Sequence, residues 1–249
     1  MLMSVIQRAC ESVVAPELAG ARVLITGLTS TFGFDVARAF ADHGARLIIQ
    51  SPEESPEMTE LSAVLAENSA EIRLFNTPLD SDEDVRRLMQ AAAQDFGGID
   101  AVINLVPVNA GAVCALELAD DADAAASDVL RLPLRLTEIA ANRMRLVWVE
   151  GSILNVVRIE DAAGGRAMMI ADVLRSALGQ LTRGLAQDWA ETGIRINAVG
   201  PPSSIAAMGG DAQASDADLA VVALQLASRK GRSVSGHVLD AAGAARRWC

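Results

Sequence analysis

The chain has 249 residues, 51% of them hydrophobic and only 3% aromatic, with a formal net charge of −11. That length suits one well-buried domain, and the negative balance argues against nucleic acid, whose phosphates need clustered Arg and Lys, and against an anionic membrane surface. No apolar run approaches the ~20 residues of a bilayer-spanning helix, and Arg8 and Glu11 interrupt the first fifteen residues, so neither a span nor a secretory signal is expected.

Three scattered cysteines, Cys10, Cys114 and Cys249, lack metal-site spacing and read as reduced thiols of a cytoplasmic protein. With only His43 and His237 as histidines, no metal set and no Ser-His-Asp arrangement can be assembled.

In chain order, residues 1–15 read as an extension and 16–249 as a single domain. Arg22-Val23-Leu24-Ile25 predicts a short buried strand. It runs into the turn Thr26-Gly27-Leu28-Thr29-Ser30-Thr31-Phe32-Gly33, and Phe34–Ala41 then has helical apolar spacing. Strand, glycine-bearing turn and helix together place a pyrophosphate on a helix N-terminus. Further strands are expected at Arg46–Ile49, Ile72–Phe75, Ala101–Asn104, Leu146–Val149, Arg195–Val199 and His237–Asp240. Helices are expected at 34–43, 57–68, 82–95, 125–144, 167–191 and 216–228, with a loop over Pro201–Asp218. This alternation predicts an α/β fold: one doubly wound parallel sheet of about seven strands with helices on both faces.

Four segments, in order and at matching spacing, resemble the short-chain dehydrogenase/reductase family and its Rossmann-like fold. They are the Gly27–Gly33 turn, Phe96–Asn104, Gly193–Pro201 and Gly236–Gly243. Members of that family bind NAD or NADP and transfer protons through a Tyr-x-x-x-Lys pair. The resemblance puts Ala171 at the tyrosine and Arg175 at the lysine, in a chain with no tyrosine and only one lysine, Lys230. It puts the family's serine at Gly151 or Ser152 and its helix asparagine near Arg131, just ahead of Pro133.

Around the cofactor, Thr26, Gly27, Gly33 and Asn104 remain as vestiges, and Thr31 replaces the middle glycine of the turn. Gln50 stands where a ribose-binding acid belongs, and Pro78 where an adenine contact belongs. Pro202 replaces the glycine of a PG turn, and Ala206 a nicotinamide-binding threonine. The resemblance therefore implies a non-catalytic chain, no enzyme on its own and without its own cofactor. It would sit in a heterotetramer with an active paralogue that holds NAD and a β-hydroxyacyl-CoA. Leu174, Leu178, Leu181 and Leu185, with the terminal Arg246, Arg247 and Trp248, are the interface candidates. A divergent stand-alone oxidoreductase using Ser152 and Arg175, and a scaffold that senses a nucleotide or other ligand, stay open.

Overall fold

The computed structural model describes residues 15–52, 54–109, 122–159, 165–201 and 214–239. Seven strands form one sheet: β1 (Arg22–Thr26), β2 (Arg46–Ser51), β3 (Glu71–Asn76), β4 (Ala101–Val108), β5 (Ser152–Ile159), β6 (Arg195–Val199) and β7 (Val238–Leu239). All pairings are parallel, in the order β3-β2-β1-β4-β5-β6-β7. The strands are apolar runs with few polar interruptions, as a sheet covered on both faces requires.

Among the described residues six helices cover it: α1 (Phe34–Asp42), α2 (Pro56–Ala66), α3 (Asp82–Phe96), α4 (Ala122–Leu146), α5 (Gly165–Asp188) and α6 (Asp216–Ala227). One face buries Val23, Ile25, Leu47 and Ile49 against α1, α2 and α6, around Phe40, Leu65 and Leu224. The other buries Leu24, Ile48, Val102 and Ile153 against α3, α4 and α5, around Leu88, Ala140 and Ala186. Each such aliphatic side chain contributes about 1.5–3 kcal/mol on burial.

Local chemistry sets the helix starts. Ser81 and Asp84 exchange hydrogen bonds across the first turn of α3, and Ser215 and Asp218 do the same for α6. At the N-terminal edge, Arg22 clamps β1 to β4. Its backbone N–H and Nε donate to Asp100 Oδ2 at 2.8 and 2.9 Å, and its Nη2 to Oδ1 at 2.6 Å. Burial alone would push the Asp100 carboxyl up, but the Arg22 hydrogen bonds and charge outweigh it and hold the group below the usual carboxylate range.

Two expectations are corrected. Leu146–Val149 is no strand. It is the last residue of α4 and the turn after it, closed by Val149 N–H on the Met144 carbonyl (3.0 Å) and Trp148 N–H on the Arg145 carbonyl (3.2 Å). A short apolar run cannot be told from a helix end by periodicity. The fifth strand is Ser152–Ile159, whose buried Asn155 broke the apolar pattern. The expected loop up to Asp218 also ends early, because Ser215 starts α6 at Asp216. The 1–14 extension, most of the loop (202–213, with Pro202 and Ala206), and Arg246, Arg247 and Trp248 lie outside the described residues. Among the described residues no helix is long and apolar enough to cross a membrane.

Candidate functional site

The strand order reverses between β1 and β4, so the crevice at their C-terminal ends is where a ligand is expected in such a sheet. Thr26 and Asn104 pair there across the two strands. The side chain of Asn104, 1% exposed, is fully engaged: Oδ1 accepts from Thr26 Oγ1 (3.1 Å), and Nδ2 donates to Asn155 Oδ1 (2.7 Å) and Thr137 Oγ1 (3.3 Å). Thr137 lies on α4, its hydroxyl donating to the Pro133 carbonyl at 2.9 Å. This closed polar network ties β1, β4, β5 and α4 together beneath the crevice.

The glycine-bearing turn keeps its shape. Gly27 (φ +71°) and Gly33 (φ +93°) both lie in the left-handed region that favours glycine. A Cβ on Gly27 would collide with the Leu105 carbonyl, and one on Gly33 with the Leu105 side chain. Thr31 stands exposed at the tip, its hydroxyl 3.4 Å from that of Thr29. What fills the inner face of the turn is Leu105, not the β-branched Thr31.

The two glycine N–H groups are also spoken for. Gly27 donates to Gln50 Oε1 at 2.8 Å, while Gln50 Nε2 donates to the Thr77 carbonyl at 2.8 Å. Gly33, the N-cap of α1, donates to Asp216 Oδ2 at 2.6 Å. The other carboxylate oxygen, Oδ1, accepts from Arg158 Nη1 at 2.7 Å, and that guanidinium lies 5.0 Å from the centre of the Phe32 ring. A carboxylate of the chain itself therefore occupies the position a helix N-terminus offers to an anion. Nearby, burial and the Asp216 charge push the Asp35 carboxyl up, with Arg38 opposing.

A pyrophosphate arriving at the turn would meet the Gly27 and Gly33 N–H groups already bonded to Gln50 and Asp216, and Arg158 ion-paired to Asp216. Beyond Leu105, on the β2 and β3 side, a cleft of about 270 Å³ remains. It is lined mainly by carbon from Pro52, Pro78, Leu79, Val106, Leu132 and Pro133, with Asp80 at its exposed lip. A larger groove of about 1120 Å³ lies at the opposite, N-terminal edge and holds none of these residues.

The sequence candidates divide sharply. Ser152 is corrected: it is the first residue of β5, at the N-terminal edge, where its hydroxyl donates to the Leu226 carbonyl (3.2 Å). The C-terminal part of that strand, at the crevice, carries Arg158 instead. Ala171 is buried in the apolar cluster of Ile170, Leu174 and Val157. One turn further along α5, Arg175 donates from Nη1 to the Pro201 carbonyl at 3.0 Å. Arg131 is exposed on α4. The interface candidates Leu174 and Leu178 are corrected as well, being 0% and 2% exposed in the chain's own core. Leu181 and Leu185 are half-buried against the same helix's neighbours.

Residues 27–210 match the family model described as enoyl-(acyl carrier protein) reductase. The chain belongs to that family, within the short-chain dehydrogenases/reductases. An uncharacterized oxidoreductase of Thermotoga maritima is 31% identical over 73% of this chain and 71% of its own length. A 3beta-hydroxysteroid dehydrogenase 2 of Eggerthella lenta is 26% identical over 75% and 72%. Among solved structures, an NADH-dependent reductase A1-R' complexed with NAD superposes with a TM-score of 0.69 at 24% identity, covering 90% of this chain and 96% of that one. This kinship corrects the expectation of a chain that is no enzyme on its own, because family and relatives place it among the oxidoreductases.

Proposed function

We propose that the chain works in hydride transfer at a CH–OH or C=O carbon as one subunit of a mixed assembly, with a second short-chain dehydrogenase chain holding NAD. The observation that carries this reading is the Asp216 carboxylate on the Gly33 N–H, braced by Arg158, at the position where a dinucleotide's phosphates would rest. Leu146, Val147 and the 95% exposed Trp148 add support for a partner. They form an apolar knuckle after α4 of the kind subunit contacts bury.

The substrate class is a β-hydroxyacyl-CoA. The chain resembles a subunit of the heterotetrameric 2-[hydroxy(phenyl)methyl]succinyl-CoA dehydrogenase of anaerobic toluene degradation, so that thioester is the first to assay. The terminal Arg246 and Arg247 would approach a carboxylate or phosphate of substrate in the partner's site.

The test is co-expression with a short-chain dehydrogenase chain that keeps the tyrosine, followed by size exclusion with light scattering and an NAD-linked acyl-CoA assay. A mixed tetramer whose turnover needs both chains is the expected result. A homo-oligomer that turns substrate over with its own NAD would overturn the assembly and leave a stand-alone dehydrogenase.

A further inference from the structure

The groove at the N-terminal edge of the sheet, about 1120 Å³, lies opposite the crevice. It is bounded by the turn before β1, the C-terminal end of α5, the starts of β4 and β6, and the segments after α6 and before β7. In a chain of net charge −11, four arginines line it: Arg183, Arg195, Arg229 and Arg232. Among the described residues none of the four forms an ion pair. We propose that this groove binds a small phosphate ester, with Arg195 and Arg232 on the phosphate and the carbon body on a floor of Leu18, Ala186, Ala190, Ile194 and Ala227.

Arg195, the first residue of β6, is the centre of the site. Its half-buried guanidinium donates from Nη1 to the carbonyls of Leu226 and Gly231, the latter at 2.8 Å. Nε and Nη2 donate to nothing among the described residues. Burial, and then the like charge of Arg232, push its pKa down, with Glu150 opposing. A guanidinium drawn partly out of water beside a second cation, with donors to spare, gains most from an anion it can grip with two parallel hydrogen bonds.

The loop that carries Arg229 and Arg232 is pinned at three points. Ser228, 1% exposed, accepts from the Lys230 N–H at 3.2 Å and donates to the Gln225 carbonyl at 2.8 Å. Gly231 is buried so close to α6 that a Cβ would stand 2.6 Å from the Leu226 backbone. Glu17 accepts from the Arg229 N–H at 2.8 Å. The two exposed arginines therefore rise from a fixed backbone, which lowers the cost of ordering them around a ligand.

Charge selects the head group. Asp100 is neutralised by Arg22, so the four arginines face only Glu17 and Glu150, an excess of two positive charges. That excess matches a phosphate dianion better than a single carboxylate. The apolar floor adds a preference for carbon beyond the phosphate.

Calorimetry and amide NMR on the full chain test this with hexyl phosphate, inorganic phosphate and hexanoate as probes. Hexyl phosphate should bind saturably and more tightly than the other two. It should move the amides of Gly193 and Gly236, which line the groove, and leave those of Gly27 and Gly33 in place. Arg195→Gln and Arg232→Gln should each weaken that binding about tenfold or more. Should Arg195→Gln not fold, Arg232→Gln, an exposed change, decides alone. Absence of saturable binding at about 10 mM, hexanoate binding as tightly as hexyl phosphate, unchanged affinity in Arg232→Gln, or shifts centred on Gly27 and Gly33 would each overturn the proposal. The measurement needs neither NAD nor a second chain, so this site and the mixed assembly stand or fail separately.

Discussion

The two edges of the sheet differ most clearly in how they treat a half-buried acid. At the N-terminal edge Asp100 is held by three hydrogen bonds from Arg22 and is easier to ionise than a free carboxyl. At the C-terminal edge Asp35 sits half-buried beside a second carboxylate, Asp216, and is harder to ionise. One edge is built for stability. The other gathers two carboxylates, left-handed glycines and a close-packed Leu105 around a helix N-terminus.

Leu105→Ala should have the largest effect. It removes a buried side chain packed onto Gly33 and should cost about 2–5 kcal/mol in urea unfolding. A cost below about 1 kcal/mol would show that Leu105 is not packed against the turn as described.

Asp100→Asn should come next, at about 1–3 kcal/mol at neutral pH. The folded pKa of Asp100 is depressed, so its contribution is present above the unfolded carboxyl pKa and lost as pH falls through the folded one. The deficit of the variant should therefore fade in acid. Asp35→Asn should do the opposite. A raised folded pKa makes the ionised form unfavourable as pH rises through it, so the variant should melt slightly higher than the parent at neutral pH, with the gain vanishing in acid. Equal pH dependence for the two variants would erase the distinction between the edges.

The smallest effect belongs to Ser152→Ala. It loses a buried hydrogen bond to the Leu226 carbonyl, about 1 kcal/mol, and should leave kcat/KM of the assembly unchanged. A change in rate would put Ser152 back in the site.

The fold was legible because its signals are local. Apolar runs bounded by turn residues marked six of the seven strands, and helical spacing marked the helices. The site was legible only in its glycines and in Asn104. Reading Leu146–Val149 as the fifth strand, instead of Ser152–Ile159, put Ser152 at the wrong edge and hid Arg158. Nothing in the sequence links Gly33 to Asp216, 183 positions away. Only the packing of α6 against α1 brings that carboxylate onto the turn. Gln50 was noticed as a missing acid, yet its contact with Gly27 follows from the register of β1 and β2, which spacing alone does not fix. Leu174 and Leu178 formed a helical stripe that fits a core and an interface equally well, and burial decided for the core.

The most direct test follows the Gly33 amide by two-dimensional NMR during an NAD titration of the unaltered chain and of Asp216→Ala. With the Asp216 carboxylate on that N–H, the amide should stay in place in the parent and move in the variant. A Gly33 shift that saturates with NAD in the parent would contradict the account, because the turn would then be open to phosphate and the chain would hold its own cofactor.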